Sequence, residues 1–140
     1  MKRILFVCTG NTCRSPMAEG IFNLLAKENN INYIAESAGL VTRTGLSYSE
    51  NSVKACKEIG VDIENGQSVF VKDVDLKEYD LFVPMSVSHA QSLVSLSVPK
   101  DKVCLLKSNG ISDPYGGDLE VYRKCCLEIK DAVINLIEKL

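Results

Sequence analysis

The sequence predicts an α/β fold three layers deep, in which a four-stranded parallel sheet lies between helices. Three observations predict it. Short apolar runs of strand length alternate with longer stretches whose apolar residues recur at helical spacing. The first run, Arg3 to Val7, is continuous rather than alternating, as a parallel strand covered on both faces requires. Polar segments follow the first and last strands, and ligands of such folds sit beyond the carboxyl ends of the strands.

From Pro16 the pattern changes period. Met17, Ile21, Leu24 and Leu25 predict a helix with Ser15 as N-cap and Pro16 at its first position, running to about Asn29. Tyr33 to Glu36 is the second strand, followed by Ser37-Ala38-Gly39 and a polar loop to Gly45. The next helix starts near Ser47 or Ser49, buries Val53, Cys56 and Ile59, and stops at Gly60. Glu64-Asn65-Gly66 predicts irregular structure, and Asp73 to Glu78 a short helical segment. Leu81 to Val83 is the third strand, which Pro84 ends. Ser86 or Ser88 caps a helix through His89, Leu93 and Val94, and Val103 to Leu106 is the fourth strand. After the loop from Lys107 to Gly117, a last helix carries the stripe Tyr122, Cys126, Ile129, Val133, Leu136, Ile137 and Leu140.

A chain of 140 residues suits one domain, residues 1–140, with a single good core. Sixteen basic against eighteen acidic residues leave no duplex-sized basic surface for nucleic acid and no polybasic patch for a membrane. Thr9 to Arg14 cut the apolar start short of a signal-peptide core, and no stretch is long enough to span a bilayer, so a cytoplasmic protein is expected. The six cysteines lie on strand-like and helical patterns, where a free thiol behaves as a small hydrophobe rather than as part of a disulfide framework. With His89 the only histidine and no close ligand pairs, no zinc site is expected.

The candidate chemistry begins at Cys8-Thr9-Gly10-Asn11-Thr12-Cys13-Arg14-Ser15-Pro16. Five residues between Cys8 and Arg14 suit a tight loop around a phosphate-sized oxyanion, held by unpaired N–H groups and the positive end of a helix dipole. Thiols at helix N-termini near a cation fall from about 8.5 to about 3.5–7.5, which makes Cys8 a candidate nucleophile with a lowered pKa. Arg14 would hold the equatorial oxygens of a phosphoryl group. Asp113, in Asp113-Pro114-Tyr115-Gly116-Gly117, reaches the same sheet edge and could protonate the leaving group, then take a proton from water. Taken alone, a Cys-x5-Arg spacing or an Asp-Pro turn is commonplace; their combination with the strand, cap and alternation is not.

These residues, with Ser37-Ala38-Gly39, closely resemble the low-molecular-weight protein tyrosine phosphatases over essentially the whole chain. The resemblance implies a phosphocysteine on Cys8, phosphate held by Arg14 and by the loop Thr9, Gly10, Asn11, Thr12, Cys13, Arg14 and Ser15, and Asp113 as general acid and base. It implies a left-handed Asn11 tied to Ser15 and Ser37, a phosphorylated protein as substrate, no metal or other cofactor, and a monomer or weak dimer. Thr12 stands where tyrosine-directed members carry an aliphatic residue, and with Asp-Pro-aromatic-Gly-Gly it looks like the bacterial protein arginine phosphatases. The implied pocket walls are Thr12, Val41 and Tyr115, with Val41 replacing an aromatic residue of many relatives. Asn65 replaces a histidine that helps brace the loop, from which modest rather than lost activity is expected.

Cys13 could trap an oxidised Cys8 as a reversible disulfide, or could be only a small loop residue. His89 reads as a helix-surface or satisfied polar residue. Rival readings are a phosphotyrosine phosphatase, an arsenate reductase and a phosphate-binding module without turnover. Arsenate reduction by relatives of this fold uses two further cysteines on a mobile segment, whereas Cys104 reads as strand-bound and Cys125 and Cys126 are adjacent on the last helix.

Overall fold

The computed structural model describes residues 1–140. Three parallel strands, β1 (Lys2–Cys8), β2 (Tyr33–Gly39) and β3 (Leu81–Pro84), form a sheet in the order β2-β1-β3. Four helices accompany them: α1 (Arg14–Glu28), α2 (Glu50–Glu58), α3 (Val87–Ser95) and α4 (Leu119–Glu138). The expected fourth strand is the main correction. Residues 103–106 run beside β3, and Cys104 and Leu106 donate to the Phe82 and Pro84 carbonyls, but only one bridge, Phe82 to Val103, is complete. In a parallel ladder the next donor would come from residue 84, and proline has no N–H to give.

Alternation along β1 builds the core on both faces. Ile4, Phe6 and Cys8 join Met17, Phe22, Cys56, Ile129 and Val133 under α1, α2 and α4; Leu5 and Val7 join Val71, Phe82, Leu93 and Val98 under α3. Phe6 meets Phe22 edge-on at 5.9 Å, a contact worth about 0.5–1.5 kcal/mol beyond the area it buries. Helix α4 buries Tyr122, Cys126, Ile129, Val133 and Leu136 of its expected stripe, while Leu140 lies beyond its end and is exposed.

Caps account for most boundaries. Ser49, Ser86 and Asp118 cap α2, α3 and α4 by accepting from the N–H three residues on. The expected cap of α1 is different: Cys13 occupies that position without a side-chain bond to the helix's own N–H groups, and Ser15 is already helical and fully buried. Its hydroxyl is engaged elsewhere, by Cys8 and Asn11. Between Val61 and Leu81 the chain is irregular, with two single turns of 3-10 helix at Val71–Asp73 and Leu76–Glu78 where one helical segment was expected.

Candidate active site

The register Cys8 to Gly39 ends β1 and β2 at the same level, and the loop from Thr9 to Cys13 rises from that edge. It turns through Asn11, which is completely buried and has φ +54°. A polar side chain sustains this left-handed conformation by bonding locally. Asn11 Nδ2 donates to Ser15 Oγ at 2.7 Å and to Ser37 Oγ at 2.9 Å, while its Oδ1 accepts from Val69 N–H at 2.8 Å. Gly39 completes the packing: a Cβ there would lie 2.8 Å from the Thr9 carbonyl and 3.0 Å from Asn11 Cβ.

The amides of Thr9, Gly10, Thr12, Cys13 and Arg14 have no backbone acceptor. They border a cavity of about 250 Å³ lined by Cys8 through Arg14, Asp113 and Tyr115. Arg14 is buried; its Nη1 donates to the Ile111 carbonyl at 3.1 Å and its Nη2 lies 3.6 Å from Asp113 Oδ2. That pair ties the loop after the sheet to the loop after β1. Asp113 Oδ1 accepts from Tyr115 N–H, which fixes the turn, and the Tyr115 side chain stands 82% exposed at the rim. An arrangement of converging N–H donors, a guanidinium, a thiol and a carboxyl can hold an oxyanion while a sulfur attacks it and a proton is delivered.

Burial pushes the Cys8 thiol up, against the sequence expectation of a lowered value. Opposing burial are the Ser15 hydroxyl at 2.8 Å, the Ser15 and Asn11 N–H groups, and the Arg14 charge. Because Ser15 Oγ accepts from Asn11, its own proton is free for the sulfur. The expected donors are thus all present, but they work against a desolvation that sequence does not reveal.

Two supports were not anticipated. Ser37 Oγ donates to Glu19 Oε1 at 2.7 Å, extending the chain Cys8–Ser15–Asn11–Ser37 to a carboxyl in α1. Burial raises the Glu19 pKa, with the Glu36 charge adding to it. Ser15 and Glu19 are spaced i, i+4, which puts them on one helix face, and that spacing was the available signal. The second is Tyr48, whose ring packs on Gly66 so closely that a Cβ there would collide with it. Burial and then the Glu19 charge push Tyr48 up to about 12. No local pattern announces this contact.

Some expected residues fall elsewhere. Asn65 is exposed and makes no side-chain hydrogen bond to the loop. Val41 is 75% exposed and does not line the cavity; only its backbone N–H touches the site, at the Thr9 carbonyl. Cys13 Sγ lies 3.3 Å from Tyr122 Oη and 3.6 Å from Ser49 Oγ. His89 is buried rather than on the surface, with Nε2 2.8 Å from Thr9 Oγ1 and Nδ1 unpartnered. No cluster of three or more His, Cys, Asp or Glu side chains is arranged to hold a metal ion.

This fold and loop define a class of protein. A family model described as low molecular weight phosphotyrosine protein phosphatase matches residues 3–140, and the chain belongs to that family: it is a protein phosphatase, a hydrolase. Among individual relatives, the protein-arginine-phosphatase of Bacillus subtilis is 32% identical, over 98% of this chain and 95% of its own. The crystal structure of a low molecular weight protein tyrosine phosphatase from T. tengcongensis superimposes with a TM-score of 0.94 at 42% identity, covering 100% of both chains. The YwlE arginine phosphatase, solved with a phosphorylated serine in place of its active-site cysteine, superimposes with a TM-score of 0.92 at 30% identity, covering 99% of this chain and 95% of that one.

Proposed function

We propose that this phosphatase acts on phosphoarginine in proteins, with Cys8 as nucleophile, Arg14 and the loop amides as the oxyanion site, and Asp113 as proton donor and acceptor. The observation that carries the reading is the one cavity shared by the Cys8 thiol, five free amides, a buried Arg14 and the Asp113 carboxyl. The Cys8 thiolate attacks phosphorus, the P–N bond breaks, and the Asp113 proton goes to the departing guanidine nitrogen. The Asp113 carboxylate then takes a proton from water, whose oxygen attacks phosphorus and releases phosphate and the Cys8 thiolate. The developing charge is met by donors already in place, so little reorganisation is needed.

The substrate preference rests on the walls. Thr12 lines the cavity, and Val41 contributes no side-chain surface to it, so stacking on a phenol falls to Tyr115 alone. A small polar wall suits a planar, hydrogen-bonding guanidinium. Phosphotyrosine is the second reading, favoured by that same Tyr115 at the rim. The test compares hydrolysis of phosphoarginine and phosphotyrosine peptides of matched sequence. Faster phosphoarginine cleavage, reduced by Thr12→Ile, supports the proposal; a clear phosphotyrosine preference unchanged by Thr12→Ile overturns it.

The other readings are weaker on geometry. Cys125 and Cys126 are buried in α4 and Cys56 in α2, which leaves no exposed relay of thiols for arsenate. A binding module without turnover would bind as well after Cys8→Ser and have no activity to lose. No helix is long and apolar enough to cross a membrane. Six free cysteines suit a reducing compartment, which supports a cytoplasmic location.

A further inference from the structure

His89 takes no part in the steps above, yet it is the histidine that the fold carries to the edge of the loop. It lies in the first turn of α3, 6% exposed, with its backbone N–H on the capping Ser86 hydroxyl. Its Nε2 is 2.8 Å from the hydroxyl of Thr9, the residue after Cys8. Thr9 itself is exposed and supplies one of the free amides. On its other side the Thr9 carbonyl accepts from Val41 N–H at 2.9 Å.

The contact is a poor bargain for stability. An exposed threonine hydroxyl can bond to water, whereas the buried ring leaves Nδ1 without a partner, which is destabilising. Reversing the tautomer only changes whether a donor or an acceptor is stranded. What the contact does accomplish is geometric: it grips the Thr9 side chain from α3, while the Val41 N–H, just past β2, holds the same residue's carbonyl. Gly10, next in the loop, has no side chain to resist rotation of its peptide.

We propose that His89 is a positioning residue, which through Thr9 keeps the turn from Cys8 to Gly10 in its anion-holding orientation. The inference rests on the reading of Cys8 as nucleophile. The ring does this as a neutral group: burial, and then the Arg14 charge on α1, push its pKa down to about 4, opposed by Asp113 from the facing loop. Its benefit falls on the transition state, when the loop amides meet the most charge.

The test uses amide side chains as rulers. A glutamine amide reaches the place of Nε2, an asparagine amide that of Nδ1. His89→Gln, His89→Asn, His89→Met, Thr9→Val and the double variant His89→Met/Thr9→Val are assayed for kcat, KM and Tm with an aryl phosphate. His89→Met and His89→Asn lower kcat by about 10–100-fold, the scale of a misplaced reacting group, with KM nearly unchanged. Tm stays level or rises in His89→Met, because the stranded nitrogen is gone. His89→Gln recovers most of the activity, and the double variant is no slower than the slower single one. Unchanged kcat in His89→Met, a parallel fall of kcat and Tm, equal behaviour of Gln and Asn, or additive losses overturn the proposal. Cys8→Ser abolishes turnover in the parent protein; turnover surviving there would sink the nucleophile reading instead, and is scored separately.

Discussion

Asp113→Asn separates proton transfer from charge pairing at the site. Asparagine keeps the shape and the acceptor for Tyr115 N–H, and removes the proton and the charge beside Arg14. The lost ion pair is small: at 3.6 Å, with the carboxyl 57% exposed, it is worth at most about 1 kcal/mol, or about fivefold in rate. A lost general acid costs about 10²–10⁴-fold. The two contributions differ in how they depend on the leaving group. An alkylguanidine or an ordinary phenol departs poorly without a proton, whereas a phenol carrying a nitro group tolerates departure as the anion. Measured as kcat/KM, which covers steps up to leaving-group departure, Asp113→Asn lowers cleavage of phosphopeptides about 10²-fold or more and of the nitrophenyl ester far less. Equal losses on both substrates, or losses below about fivefold on the peptide, refute Asp113 as the proton donor.

Three further outcomes follow from the supports beneath the loop. The Ser15 hydroxyl is the foremost of the groups that hold the Cys8 thiol down against burial, so Ser15→Ala raises that pKa further. The acid limb of its kcat/KM profile moves to higher pH, and an unmoved limb would show that Ser15 does not touch the titrating thiol. Glu19 has a raised folded-state pKa, so its effect on stability is most favourable below the ordinary carboxylate range and is lost as pH rises through the raised value. Glu19→Gln, which still accepts from Ser37, therefore gains in Tm relative to the parent as pH rises, read by thermal melts from acid to neutral pH; a constant difference contradicts the buried carboxylate. Peroxide inactivates the enzyme reversibly with thiol, and Cys13→Ala makes the loss irreversible; identical recovery in both removes Cys13 as the trap.

The sequence by itself determined the helix and strand alternation, the position of the loop and the identity of its principal residues. These are local properties: hydrophobic period, the Ser caps of α2 and α3, and the run from Cys8 to Arg14 are all written in consecutive residues. The left-handed Asn11 came from the family resemblance rather than from local pattern, and it fits the physics, because a left-handed turn suits a residue that bonds back to its neighbours.

Tertiary structure decided whatever depends on which segments meet. The fourth strand shrank to one bridge because Pro84 faces the segment that would pair with it, and proline ends the ladder from the partner's side. Ser15 was drawn away from capping by Asn11 and Cys8, and the Cys8 thiol was pushed up because packing at the end of β1 buries it. Glu19 was brought to Ser37 by the packing of α1 on β2, and His89 to Thr9 by α3. Desolvation and contacts between residues as distant as Thr9 and His89 arise only when the layers are stacked, and a linear pattern carries neither.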